Sequence, residues 1–257
     1  MLKNGGYEMK KWMVELIPVR SVRRKLKQKY FPKQSFEKTL SEGRCLMVCP
    51  HPDDEMLGAG GVLLKYAKNF DCLCMASAGV KTPKIEAEPR ANLRIKEFHQ
   101  VMDSVGIKNR WIFKTWGVPP MNDQIENYFK DYCQTVDTKK YDYIFLPHPN
   151  DNHPEHKYIT RNLFKRLLKK GGYKKSCKIV FYEVWQPIQH VNHYEDISSV
   201  AQKKFKTIEL YASQNGWINY PDRVEGLNKY RGMLYNNVPY AEAYEIVSIR
   251  KYLKGKK

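Results

Sequence analysis

Apolar residues along the chain fall into short runs separated by polar stretches that carry Gly and Pro. Cys45-Leu46-Met47-Val48-Cys49 is uninterrupted and stops at Pro50-His51-Pro52. An apolar run of this length without polar alternation predicts a strand buried on both faces, as in a parallel sheet. Met56 to Leu64, with Gly58, Gly60 and Gly61 inside it, predicts a tightly packed helix. Residues 71–79 read as a second strand ending in a small-residue loop. Leu93, Ile95, Phe98, Val101, Met102 and Val105 give residues 90–105 a helical period, and Gly106 stands where a C-terminal cap is expected. A short strand at 111–113, a helix at 125–136 and a strand at 143–146 follow, the last closed by Pro147-His148-Pro149. A helix at 158–168 and a strand at 178–184 complete the alternation. Strands alternating with helices predict an α/β class with a largely parallel sheet.

The length of 257 residues suits one such domain or at most two small ones. No apolar stretch approaches the roughly 20 residues of a membrane-spanning helix. With 15 Gly and 14 Pro, collagen-like and low-complexity architectures are excluded. The six cysteines are too sparse for a disulfide scaffold. Cys45, Cys49, Cys72, Cys74 and Cys177 sit in or beside apolar runs, which predicts free thiols in a reducing, cytoplasmic compartment.

Charge adds a second feature. The net charge is +18, and residues 1–38 hold eleven Lys/Arg against three Glu. Such a surface attracts polyanions without choosing among them. The reading is a basic N-terminal segment at 1–40, helical or a flexible arm, one domain at 41–250 and a basic tail at 251–257. No signal peptide is expected, because Glu15 and Pro18 interrupt the apolar positions at 12–19 and no cleavage site follows. A solvated arm is the simplest account. The alternative is a surface-seeking segment, with Trp12, Leu16, Ile17 and Val19 at headgroup level and the cations facing anionic lipid at the inner face of a membrane.

Two clusters carry candidate chemistry, and both follow a predicted strand. They are Pro50-His51-Pro52-Asp53-Asp54-Glu55 and Pro147-His148-Pro149-Asn150-Asp151-Asn152-His153-Pro154-Glu155-His156. In an open parallel sheet, ligands bind beyond the carboxyl ends of the strands, so both clusters belong to one edge. Two imidazoles and one carboxylate, drawn from His51, Asp54 and a His of the second cluster, suit Zn²⁺ with an open position. Asp53 then remains beside the metal as a base. Each cluster alone is weak, since Pro-Asp and Asp-Asp are also turn and helix-cap chemistry.

Together these residues resemble the LmbE-like, PIG-L-type zinc N-deacetylases. The first cluster is similar to that family's P/A-H-P-D-D-E, and Asp151 to His156 to its D-x-H-P-D-H. Arg94 to Glu97 with Val105-Gly106-Ile107 resembles its R-x-x-E helix and Leu-Gly-Val end. Tyr182 to Pro187, Lys203 to Gln214, and Leu227 to Gly232 with Tyr240 to Ala243 resemble its later motifs. The resemblance implies a Rossmann-like three-layer fold and removal of an N-acetyl group from an N-acetylated sugar, usually an N-acetylglucosamine unit in a larger conjugate. It implies His51, Asp54 and His156 as ligands of Zn²⁺, with Fe²⁺ the alternative metal. It further implies Asp53 as general base, His153 as stabiliser of the tetrahedral intermediate and Arg94 as a pocket residue. Asp151 or Glu155 is expected to orient His153. Either Asp53 or His153 then protonates the leaving amine. Tyr182, Trp185 and Tyr230 are candidates to stack on a sugar, with core packing the ordinary role of such aromatics. His148 is expected to be structural, and His190 and His193 to lie in a surface loop or at the pocket mouth.

Three departures from the family pattern stand out. Glu155 replaces Asp, Tyr244 replaces Phe, and the 78–84 loop lacks acidic residues. The extra methylene of Glu155 is expected to shift a hydrogen bond to His153. The basic charge fits a phosphate-bearing conjugate, such as a nucleotide sugar or lipid-linked glycan. A pathway building a cell-surface polysaccharide or glycolipid would join a sugar deacetylase with a membrane-seeking N-terminus. Two other readings compete. A nucleic-acid-binding protein fits the charge but lacks a reader motif. A metal-dependent phosphoesterase would want more carboxylates and a second metal.

Overall fold

The computed structural model describes Val22, Leu40 and residues 43–76, 87–113, 125–216 and 218–255. Apart from Val22 and Leu40, the basic opening segment lies outside the described residues, as does the 78–84 loop. The chain divides into two compact units, Met1–Ser35 and Phe36–Lys257, and every strand among the described residues lies in the second.

The strands are β1 (Cys45–Cys49), β2 (Phe70–Cys74), β3 (Arg110–Ile112), β4 (Tyr143–Pro147), β5 (Lys178–Tyr182), β6 (His193–Asp196) and β7 (Ala241–Ser248). They form one seven-stranded sheet in the order β3-β2-β1-β4-β5-β7-β6. The first five run parallel, with Cys45 opposite Phe70 on one side and Tyr143 on the other. β7 pairs antiparallel with both β5 and β6. The order 3-2-1-4-5 reverses direction between β1 and β4, and a doubly wound sheet opens its ligand crevice at that switch point.

Helices cover both faces: α1 (Asp54–Tyr66), α2 (Ala87–Val105), α3 (Ile125–Thr135), α4 (Pro154–Tyr158), α5 (Phe164–Gly171), α6 (Ala201–Ile208), α7 (Ala212–Asn215), α8 (Tyr220–Leu234) and α9 (Ile249–Lys254). Strand alternation divides the core in two. Cys45, Met47 and Cys49 join the layer that holds α1, α2 and α6, whereas Leu46 and Val48 join the layer of α5 and α9. This follows from the two-residue side-chain period of a strand whose two faces are both covered. Leu40 is fully buried in the first layer.

Several boundaries differ from the sequence reading. The helix expected at 158–168 starts at Pro154 and runs to Gly171, through a π turn at Ile159–Leu163. β5 ends at Tyr182 because Glu183 turns away to pair with Arg231. Within the basic tail read from 251, residues 251–254 end α9, and Tyr252 is buried with its hydroxyl donating to the Thr160 carbonyl at 2.6 Å. No helix among the described residues is long and apolar enough to cross a membrane.

α1 packs unusually close to its neighbours. A Cβ on Gly58 would lie 2.2 Å from the Tyr182 ring and 2.8 Å from the Glu183 carbonyl. One on Gly61 would lie 2.4 Å from Ile197. The glycines of this run therefore set how near α1 stands to β5, and so where its first turn points.

Candidate metal centre

Both clusters reach the carboxyl edge of the sheet, the first from the end of β1 and the second from the end of β4. Asp54 is the first residue of α1, and His156 lies in α4 just past the N-cap His153. One ligand atom from each of His51, Asp54 and His156 lies within 4.8 Å of the others, and all three residues are buried. The convergence point is Asp54 Oδ2. It stands 3.4 Å from His51 Nδ1 and 3.2 Å from His156 Nε2. It also accepts the His51 backbone N–H at 2.9 Å, which closes the turn that brings the ring over the helix terminus.

The far nitrogen of each imidazole faces a second carboxylate. His51 Nε2 meets Glu155 Oε2 at 2.5 Å, and His156 Nδ1 stands 3.4 Å from Asp151 Oδ1. Carboxylate backing of this kind orients metal-ligating histidines. Neither ring nitrogen of His156 makes a directed hydrogen bond among the described residues, although the residue is fully buried. Two imidazoles and a carboxylate gathered this closely at one buried point fit a shared cation, and the His₂Asp set matches a metal with an open position.

Charge in the cluster follows from burial and proximity. Burial alone would lower both imidazoles. For His156 the charges of Asp54 and Asp151 outweigh it and carry the ring up to about 10. For His51 the hydrogen bonds to Asp54 and Glu155 outweigh it and raise the ring above its usual value. Burial would raise Asp54, but His156 and His51 hold its carboxyl well below the usual range. A metal takes neutral imidazole, so uptake must release these protons. Apparent metal affinity is therefore expected to rise with pH between the ordinary imidazole range and about 10, by up to roughly tenfold per pH unit for each proton displaced. Chelator competition at several pH values, with proton release followed in weak buffer, measures this; pH-independent uptake would contradict it.

Asp53 lies beside this set and outside it. Its φ of 115° falls in the left-handed half of the map, costly for a residue with a side chain and frequent at functional sites. The strain is held by its neighbours. Its N–H donates to Glu55 Oε2 at 3.2 Å, and Arg94 stands 3.6 Å from its carboxylate while donating to the Pro52 carbonyl at 2.8 Å. Burial pushes the Asp53 carboxyl up to about 8, against the pull of Arg94 and with help from the charges of Asp54 and Glu55. A carboxyl held near neutrality is suited to accept and return a proton.

His153 closes the cluster. Its ring centroid is 5.2 Å from that of His51 and 4.6 Å from that of His156. Its Nδ1 accepts the Glu155 backbone N–H at 3.3 Å, so the neutral ring carries its proton on Nε2. Burial and the neighbouring imidazoles lower its basicity. The expected orientation of His153 by a carboxylate side chain takes a different form here. Asp151 accepts the backbone N–H of His153 at 2.8 Å and that of Trp185 at 3.0 Å, while Glu155 reaches His51. The extra methylene of Glu155 thus serves a ligand candidate rather than His153.

The remaining expectations resolve as follows. Arg94 is buried against Asp53. Tyr182 takes the core-packing alternative: it is fully buried, and its hydroxyl donates to the Val48 carbonyl at 2.9 Å. Tyr230 is half exposed on α8. His148 pairs with Glu245 at 3.1 Å.

Four contacts that the sequence reading did not anticipate hold the site in place, and each joins two of the motifs. Glu55 accepts the Tyr211 hydroxyl. Glu97 accepts the Ser213 amide at 2.8 Å and hydroxyl at 2.6 Å. Glu183 takes a two-pronged contact from Arg231 at 3.0 and 2.6 Å. Lys204, fully buried, reaches Glu242 at 2.7 Å and the Leu57 carbonyl at 3.1 Å, while Glu242 accepts the Gly61 and Val62 amides of α1. The signal available in the sequence was the recurrence of charged residues inside otherwise apolar motifs.

Residues 46–167, which include both clusters, match the family model described as PIG-L: GlcNAc-PI de-N-acetylase. The resemblance read from the two clusters and the Arg94 helix is thereby shown over that stretch; the later motifs lie outside it. No curated protein matches the chain. Among solved structures, N,N'-diacetylchitobiose deacetylase from Pyrococcus horikoshii is 18% identical, with 90% of this chain and 94% of that one covered and a TM-score of 0.64. The zinc-inhibited form of a teicoplanin deacetylase is 17% identical, with 81% and 99% covered and a TM-score of 0.56. The 4-carboxy-2-hydroxymuconate hydratase from Pseudomonas putida is 17% identical, with 79% and 96% covered and a TM-score of 0.61. These similarities establish the α/β fold expected from the sequence. That fold houses both amide hydrolysis and hydration, so the reaction must be argued from the site.

Proposed function

We propose that this protein is a metal-dependent hydrolase that removes the N-acetyl group from an N-acetylated sugar, with Zn²⁺ held by His51, Asp54 and His156. One observation carries the reading: two clusters about a hundred residues apart in sequence deliver two imidazoles and a carboxylate to one buried point, with Asp53 left beside them. The match of this stretch to a de-N-acetylase family model supports the choice of reaction. A divalent cation bound there supplies Lewis acidity to the acetamide carbonyl and to a water.

The chain's own groups account for the proton movements. Asp53, held by Arg94 and by its own amide, accepts the proton of the attacking water. Arg94 keeps the carboxylate in place and moderates its rise in pKa. His153, with Nδ1 occupied by the Glu155 amide, donates from Nε2 to the oxygen on which negative charge develops. The proton stored on Asp53 then passes to the departing amine. A phosphate-bearing sugar conjugate fits the net charge of +18; equal turnover of neutral and diphosphate-linked N-acetyl sugars would remove that refinement.

The test measures metal content of untagged protein together with amine release from a panel of N-acetylglucosamine derivatives. One metal per chain and amine release are expected, both lost in His156→Ala. Reconstitution with Fe²⁺ in parallel with Zn²⁺ identifies the better metal. Protein that takes up neither metal and releases no amine from any member of the panel would overturn the reading.

A further inference from the structure

Beside the metal centre lies a cleft of about 210 Å³, the size of a subsite rather than of a whole ligand pocket. Leu57, Trp185, Ile218, Tyr220, Val224 and Leu227 line it. Its one acidic member, Glu183, is already engaged: its carboxylate accepts from Arg231 and from the Ile188 amide at 2.8 Å. Arg223 lies at the rim with its side chain three-quarters exposed. The lining is therefore mostly apolar, with the Tyr220 hydroxyl and the Trp185 indole N–H its uncharged polar groups.

The cleft is continuous with the chemistry. The Trp185 ring lies 6.4 Å from that of His153 and 6.1 Å from that of Tyr220, centroid to centroid. The Trp185 amide donates to Asp151, the carboxylate that faces His156. Leu57 stands one turn along α1 from Asp54. Despite this packing, Trp185 remains 41% and Ile218 37% exposed. Apolar side chains grouped at the mouth of a reactive site mark a surface that gains by being covered.

We propose that this cleft binds an apolar aglycone, an alkyl or aryl group carried on the N-acetylated sugar, while the acetamide sits at the metal centre. The inference rests on the deacetylase reading for its substrate. The natural substrate class is then an amphipathic sugar conjugate rather than a free sugar. Trp185 forms the shared wall, with the sugar on its His153 side and the aglycone on its Tyr220 side.

The experiment compares the methyl and octyl β-glycosides of N-acetylglucosamine as substrates. It also measures calorimetric binding of octyl glucoside, which has no acetamide, below the concentration at which it forms micelles. The octyl glycoside is expected to show a kcat/KM about tenfold or more above the methyl glycoside, as burial of two or three methylenes requires. Ile218→Asp and Leu227→Asn, two separate changes at half-exposed positions, are each expected to bring that ratio close to one and to abolish octyl glucoside binding. Melting curves confirm that each variant is folded. Equal turnover of the two glycosides with no octyl glucoside binding would overturn the cleft and leave deacetylation standing. Octyl glucoside binding without amine release from either glycoside would uphold the cleft as an apolar site and overturn the deacetylase reading.

Discussion

Asp53→Asn is expected to lower kcat for amide hydrolysis by about 10²–10⁴-fold while leaving metal content unchanged. Asparagine keeps the size of the side chain. It is also, after glycine, among the residues best suited to positive φ, so the φ of 115° at this position remains accessible. The Glu55 contact to the residue 53 amide does not depend on the side chain and should survive. What disappears is the ability to take a proton. The wild-type pH–rate profile should carry a limb from this carboxyl, and the variant should lack it. Asp53→Asn with near-native kcat would show that another group is the base. A variant that also lost its metal would place Asp53 among the ligands, contrary to the convergence of donors on Asp54.

Lys204→Met should lower stability by about 3–5 kcal/mol, because it leaves the carboxylate of Glu242 buried without its cation. Both residues are essentially inaccessible, and Glu242 also accepts from Gly61, Val62 and the Tyr244 hydroxyl. For a chain of this size the loss corresponds to a melting temperature lower by about 10 °C. Adding Glu242→Gln should recover part of it, since the neutral amide is less costly to bury than an unpaired carboxylate. The same pair holds α1 through the Leu57 carbonyl and the Gly61 amide, and α1 begins at Asp54. Metal affinity should therefore fall along with stability in the single variant. A change in melting temperature of less than about 2 °C would mean that the pair contributes little to stability.

Glu155 shows how one methylene changes the wiring of a site. The motif alone suggests that the residue between Pro154 and His156 serves His153. In the folded chain the longer side chain reaches His51 instead, across 104 positions of sequence. His153 is left with a backbone partner on Nδ1. This choice follows from side-chain reach and from the angle at which α4 leaves β4, neither of which is written in the local sequence.

Much of the architecture was legible from the residues. Continuous apolar runs announced the parallel strands, because a strand buried on both faces has no polar side to alternate. The two clusters at strand ends announced the position of the site, because parallel strands all present their carboxyl ends at one edge. β6 and β7 gave no such signal. The burial of β7 is uneven and it carries Glu242 and Glu245, so its pattern does not separate it from a loop or helix. The roles of Glu55, Glu97, Glu183 and Lys204 were equally hidden, because each partner lies dozens to more than a hundred residues away. By itself, then, the sequence determined the fold class, the edge on which chemistry is possible and the residue types gathered there, since these depend on local periodicity and strand direction. Only the tertiary structure decided which carboxylate backs which histidine, that Tyr182 is buried in the core, and that an apolar cleft adjoins the candidate metal centre. Those are matters of distance between residues remote in sequence, and only the packing of helices on the sheet sets them.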